Sequence, residues 1–252
     1  MMTHILHRAV ASLGAAALVS TVVACRDAEA DPAPVGAQYI VGIDISGSRT
    51  PTQLDEASDL LTGLIGRMTN GDRLVLVETY QTGTDAARQF DDSIPGPRRA
   101  GRLTAGDRKR AERFRRSAAL VARTYFDTTR SKQIKSTDLL TTLGRAADYA
   151  KAGQGRPTTV LLLSDMLNAT PELNMERAGG IPDSAWIARR QAEGRLPDLR
   201  GVCVFAVGAD VSSARGARAR AFWRAYFAAA GARFAEQNYR NMVSSPAEVR
   251  CA

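Results

Sequence analysis

Histidine is nearly missing from these 252 residues: there are two, His4 and His7, and both lie close to the amino terminus. Cysteine is scarce as well, at three, and lysine numbers four against thirty arginines. Long apolar runs are confined to the beginning. Met1 to Arg8 form a short, weakly basic stretch, and Ala9 to Ala24 are small and apolar. That run is short for a membrane span and has the layout of a secretory signal. Its removal takes away both histidines, so a mature chain starting after Ala24 excludes a Ser-His-Asp or Cys-His nucleophile pair, a histidine general base and a histidine-ligated zinc. The same removal deletes one arginine and no acid, so the formal charge of +8 becomes about +7.

What remains is enough for one domain with a sizeable core. The sequence predicts a signal over residues 1–24, a flexible tether over 25–37 and a folded domain over 38–252. The tether, "RDAEADPAPVGAQ", is polar, rich in Pro and Ala and without periodicity. Beyond it, apolar strand patterns alternate with helical ones. "QYIVGIDIS" reads as a buried strand. Thr50-Pro51 then reads as an N-cap and first helical position, followed by Leu54, Ala57, Leu61, Leu64, Ile65 and Met68 at helical spacing. Asn70-Gly71 ends that helix before the strand "DRLVLVETY", and "ARQFDDSI" reads as a short edge strand. "STDLLTTLGRAADYAKAG" is an amphipathic helix and "TTVLLLSDM" a strand. "SAWIARRQAEG" is a helix, "GVCVFAVGAD" a buried strand and "SARGARARAFWRAYFAAAGA" a helix, with "RFAEQ" closing the sheet. Such alternation predicts an α/β fold: a single doubly wound, Rossmann-like, mainly parallel sheet flanked by helices. Trp186, Phe222 and Trp223 fall on helical patterns and are expected in the core.

Residues 97–135 differ in character, with thirteen basic residues against three acids. Their centre, about Ala105 to Tyr125, reads as a basic helix with Phe114, Ala118, Val121 and Tyr125 on one side. Because the segment leads into Thr137, it is expected beside the strand ends. It could attract acidic partners or an anionic surface, or simply be a solvated face of an arginine-rich protein. Nucleic acid is not expected for an exported chain.

The chemistry concentrates at strand ends, where ligands of open α/β sheets bind. Asp44 and Asp165 end two different strands. Asp44, Ser46 and Ser48 alternate in "DISGS", so a chain leaving a strand can aim them at one point, with Gly47 easing the turn. On these residues alone the loop could hold a metal, cradle a phosphate or be an ordinary strand-to-helix connection.

Three segments in order resemble a von Willebrand factor type A (VWA) domain: "DISGS" before a helix and "NGDRLVLVETY", then "STDLLTTLGRAADYA", then "VLLLSDM". The similarity runs from about Gln38 to Glu236. It implies a metal-ion-dependent adhesion site (MIDAS), with Ser46 and Ser48 as direct ligands and Asp44, Thr137 and Asp165 acting directly or through water. Two carboxylates and three hydroxyls form an all-oxygen set suited to a divalent cation, with Mg²⁺ preferred and Ca²⁺ or Mn²⁺ as alternatives. Such a site takes a carboxylate from a protein partner, so the resemblance implies a non-catalytic binding protein. Two departures stand out: Lys135-Ser136 before the threonine and Met166 after the last aspartate, where the family often has glycine.

"VVAC", Val22 to Cys25, resembles the bacterial lipobox. This implies cleavage before Cys25, lipid attachment to it and a place in the cell envelope. Arg26 favours the periplasmic face of the outer membrane over inner-membrane retention. With Cys25 lipidated, Cys203 and Cys251 remain as a pair in an oxidising compartment, either bridged or as a buried thiol and a free end. Two alternatives stay open. "IVGIDISGSRT" also resembles the first phosphate-binding turn of actin-like kinases and ATPases, in which Asp44 would serve Mg²⁺-dependent phosphoryl transfer. The chain could instead be an envelope assembly scaffold with a vestigial site and a working basic helix.

Overall fold

The structure is a computed structural model and describes residues 36–79, 88–96, 102–129, 136–153 and 155–249. Cys25, Cys251 and residues 97–101 and 130–135 around the basic helix lie outside the described residues.

Six strands form one sheet: β1 (Gln38–Ile43), β2 (Arg73–Glu78), β3 (Arg88–Ser93), β4 (Thr158–Leu163), β5 (Cys203–Val207) and β6 (Tyr239–Arg240). They lie in the order β3-β2-β1-β4-β5-β6. All neighbours are parallel except β2 and β3, which pair antiparallel at the edge. Five helices connect them: α1 (Pro51–Arg67), α2 (Ala105–Thr129), α3 (Leu139–Ala152), α4 (Ser184–Ala192) and α5 (Ala214–Ala229). The doubly wound α/β architecture read from the sequence is therefore the one found.

β1, β2, β4 and β5 are apolar on both sides because both sides are covered. In β1, Ile40 faces one core, and Val41 and Ile43 face the other. The first core unites β1, β2, β4 and β5 with α3, α4 and α5, around Leu143, Leu162, Trp223, Tyr226 and Phe227. The second unites the other strand face with α1 and α2, around Leu61, Ile65, Leu76, Phe114, Phe126 and Phe205. Phe222 and Trp223 are buried and Trp186 packs against the first core, as their helical spacing implied.

α1 begins where its sequence says. Thr50 is the N-cap, its hydroxyl accepting from Gln53 N at 3.3 Å while Gln53 Oε1 accepts from Thr50 N at 2.9 Å. This reciprocal box, with Pro51 at the first position, fixes the direction in which the chain leaves the β1 loop.

Two expectations are corrected. "RFAEQ" does not close the sheet. Arg233 makes a single bridge to Cys203, the chain then forms a short 3-10 turn over Glu236–Asn238, and Tyr239–Arg240 pairs with β5. Asn238 Nδ2 donates to Val204 O at 3.1 Å across the gap, so a side chain takes a place that a ladder bond would hold. The basic half of α2 also does not lie beside the ends of β1 and β4. Arg115 donates through Nε to Met68 O at 3.0 Å, and Met68 caps the far end of α1. At 17 residues, α1 separates Thr50 from that point by about 25 Å.

No described helix is long and apolar enough to cross a membrane.

Candidate metal centre

The strand order changes direction between β1 and β4, which are parallel neighbours leading away to opposite edges. Chains leaving such a pair diverge and open a crevice at the carboxyl ends. Asp44 follows β1 and Asp165 follows β4 by two residues, so both carboxylates enter that crevice from below. Thr137 arrives from the segment before α3.

The five residues singled out in the sequence come together there. Asp44 is fully buried and is the hub. Its Oδ1 accepts from Ser46 N at 2.9 Å and from Thr137 Oγ1 at 3.2 Å. Ser46 Oγ and Ser48 Oγ lie 2.9 Å apart, and Ser48 Oγ donates to Asp165 Oδ2 at 2.5 Å. The other Asp165 oxygen accepts from Leu167 N at 2.9 Å. Access is from the solvent side, where Gly47 and Ser48 are exposed, whereas Ser46 and Thr137 are buried.

Electrostatics point the same way. Burial and the neighbouring Asp44 charge raise the Asp165 carboxyl from 3.8 to about 6. Hydrogen bonds from Ser48 and Leu167 and the nearby Arg49 only partly offset this. Two carboxylates sharing a buried crevice repel, and a cation between them would relieve that.

Three residues that the sequence reading missed complete the site. Ser164 Oγ donates to Asp44 Oδ2 at 2.6 Å and accepts from Met166 N at 2.9 Å. Its only signal was its place between the apolar strand and Asp165. Asn168 ties the loop after β4 to α3: its Oδ1 accepts from Leu139 N at 2.8 Å, and its Nδ2 donates to Leu173 O at 2.7 Å. Arg49 is buried at 6% exposure beneath the loop, in a position that looks like an ordinary surface cation on paper.

Met166 and the stretch before Thr137, the two departures from the pattern the sequence resembles, can be placed as far as residues are described. Met166 takes the conformation a glycine would, with φ at 66°. Its side chain is fully buried and its carbonyl accepts from Trp223 Nε1 at 2.8 Å. Lys135 lies outside the described residues. Thr137 is held without a preceding glycine: its carbonyl accepts from Ala169 N at 2.8 Å, and the next amide, Asp138 N, donates to Thr79 O.

The donor set fits a hard divalent ion. Among the described residues no group of three or more His, Cys, Asp and Glu forms a metal cage. The convergent atoms are two carboxylates with three hydroxyls, which is all-oxygen chemistry. The Ser46–Ser48 separation of 2.9 Å and the Thr137–Asp44 separation of 3.2 Å are those of hydrogen-bonded oxygens, close enough together to share one hard cation.

Cys203, at the start of β5, is buried and disulfide-bonded. The partner expected for it, Cys251, lies outside the described residues.

No protein-family profile matches the sequence, and no curated protein matches it. Solved structures do. An aerotolerance-related membrane protein from Bacteroides fragilis shares 14% identity over 84% of this chain and 94% of that one, with a TM-score of 0.42. The ArnB paralog VWA2 from Sulfolobus acidocaldarius shares 13% over 86% of this chain, with a TM-score of 0.44, but this chain spans only 44% of it. The manganese-loaded TRAP protein of Plasmodium vivax shares 13% over 84% of this chain and 70% of that one, with a TM-score of 0.40. By its own sheet order this chain is a doubly wound α/β domain, and in the convergence of "DISGS", Thr137 and Asp165 at the β1–β4 switch point it resembles a VWA domain.

Proposed function

We propose that the chain is a non-catalytic binding module of the cell envelope. In this reading it holds a protein partner through a divalent cation at Asp44, Ser46, Ser48, Thr137 and Asp165. One observation carries it: hydroxyls and carboxylates from three separate segments are linked at 2.5–3.2 Å in one buried crevice open at Ser48. Ser46 and Ser48 would hold the ion directly. Asp44 has both carboxylate oxygens engaged by Ser46, Thr137 and Ser164, which suits it to orient ligands and to act through water. Asp165 would be the second charge. A bound divalent cation supplies a Lewis-acidic point able to accept a carboxylate from outside.

The surrounding residues keep that point available. Burial of Asp44 and Ser46 keeps the lower half of the crevice dry, and the exposed Gly47–Ser48 rim leaves the upper half to a partner. Export by the signal over 1–24, lipid at Cys25 and the tether over 25–37 would hold the domain near a membrane at a distance set by the linker. The periplasmic face of the outer membrane is the location this reading favours.

The test is capture from an envelope extract on immobilised wild-type domain, with Mg²⁺ or with chelator, alongside Asp44→Asn. We expect capture only with Mg²⁺ and wild type, with the circular dichroism of the variant unchanged. Equal capture in chelator by a folded protein sinks the proposal.

A further inference from the structure

Arg49 poses a question that the five-residue site does not answer. It sits inside the "DISGSRT" loop, 6% exposed. Its guanidinium braces backbone rather than pairing with acid: one terminal nitrogen donates to Asp44 O at 2.8 Å and Leu163 O at 2.9 Å, the other to Gln53 O at 3.0 Å. Its Nε is buried without a hydrogen-bond partner. Room is made for it at Gly208, where a Cβ would come within 3.0 Å of the guanidinium and 3.1 Å of Ser164 O. Gly208 has φ at +102°, so a side chain there is strained as well as crowded.

Bracing three carbonyls does not by itself call for a charge. A buried cation carries a large desolvation cost that a neutral amide of similar reach avoids. Burial indeed lowers the Arg49 pKa from its ordinary value, while Asp44, then Asp165, then Glu56 oppose that. The two strongest of these opposing charges are the carboxylates of the candidate site. Without a metal, the group formed by Asp44, Asp165 and Arg49 carries one net negative charge. With a divalent ion it carries one net positive charge, whereas two aspartates and the ion alone would be neutral.

We infer that Arg49 is a built-in countercharge that makes the loaded site a net cation, weakening its hold on the divalent ion and strengthening its hold on an incoming carboxylate. The inference rests on the metal-site reading above and names Arg49 as a positioning and specificity residue within it. It has a distinctive signature: loss of the charge moves ion affinity and carboxylate affinity in opposite directions. A residue that merely supported the loop would, on removal, lower both.

The experiment titrates Mn²⁺ into the full domain by calorimetry, then acetate into the Mn²⁺-loaded protein, following water-proton relaxation as acetate displaces metal-bound water. Arg49→Gln is expected to bind Mn²⁺ at least about a hundredfold more tightly, as befits a unit charge several ångström from a divalent ion at an effective dielectric of about 20. Its loaded form is expected to bind acetate several-fold more weakly. Arg49→Lys restores the charge without the planar fork, and is expected to return both constants toward wild type. Gln53→Glu guards against a misfolded Arg49→Gln. Glu is a preferred residue at that position of a capping box, so the fold is safe, and the new carboxylate partly cancels Arg49. It should shift both constants in the same two directions, about two- to threefold. Constants that fall together or stay unchanged in folded Arg49→Gln overturn the inference. If that variant does not fold, the same outcome in Gln53→Glu overturns it. Wild-type protein that does not bind Mn²⁺ refutes the metal-site reading itself, which is a separate result.

Discussion

Asp165 gives the sharpest test of whether the crevice is built for a cation. Its carboxyl is raised from 3.8 to about 6, chiefly by burial and next by Asp44, and the residue is only 8% exposed. A rise of that size corresponds to about 3 kcal/mol held against the charged form. Because the folded value lies above the unfolded one, the contribution of this group to stability is full below about pH 4. It is lost as pH rises through about 6. The metal-free domain at pH 7.5 therefore carries a repulsion that it lacks at pH 5. A divalent ion that fits the crevice should remove it. At a concentration one-hundredfold above Kd, binding stabilises by about 2.7 kcal/mol, which for a domain of this size raises Tm by about 5–10 °C. The assay is calorimetric melting at pH 7.5 and pH 5, each with Mg²⁺ and with chelator. The gain should be large at pH 7.5 and much smaller at pH 5, where protons compete for Asp165. Asp165→Asn should melt higher than wild type in chelator at pH 7.5 and gain little from Mg²⁺. A gain that is absent at pH 7.5, or larger at pH 5, refutes the reasoning.

Ser164→Ala removes the 2.6 Å bond to Asp44 Oδ2 and the acceptor for Met166 N. It should cost about 1–3 kcal/mol in denaturant unfolding and weaken Mn²⁺ binding measurably. Phe227→Ala, in the core formed by α3, α4 and α5, should cost about 3–5 kcal/mol in the same assay without changing the ion affinity of the folded fraction. Neutralising Arg108, Arg113 and Arg116 together should leave Mn²⁺ affinity within about twofold by calorimetry, because that part of α2 lies a helix length from the crevice. Peptide mapping without reduction should find Cys203 joined to Cys251, and a linkage to any other cysteine defeats that assignment.

The fold was readable because its signals are local and repeated. β1, β2, β4 and β5 are apolar on both faces, which only a sheet covered on both sides requires, and Thr50-Pro51 marks the start of α1 by cap chemistry. The two aspartates could be placed at the site because a parallel strand points at its own carboxyl end. β6 was misplaced because its two residues carry no periodicity, and a side-chain bond from Asn238 decides where pairing begins. Ser164 and Arg49 were passed over because their roles depend on where a distant strand or helix brings its atoms. A serine beside an aspartate, and one arginine among thirty, look like solvated residues until burial is known.

Met166 holds a backbone conformation that favours glycine, and this bears on how the loop is set. A methionine at φ 66° is strained, and the strain persists only when the surroundings over-determine it. They do so here on three sides: the side chain is buried in the core, the carbonyl accepts from Trp223 and the amide donates to Ser164. Met166→Gly would relieve the backbone but empty a buried side chain's volume. The second effect is larger, so a loss of about 2–4 kcal/mol in stability is expected. The loop after β4 is then further fixed to α3 through Asn168, which also fixes Asp165 relative to Thr137. A glycine in place of Met166 would let that spacing adjust when an ion or a partner arrives. Methionine gives up that freedom, so the oxygens stand near their working positions beforehand. Hydrogen exchange at the Leu167 amide should accordingly be slow in wild type with or without Mg²⁺. In Met166→Gly it should be fast and strongly slowed by Mg²⁺; fast exchange in metal-free wild type would show that the loop is not preorganised.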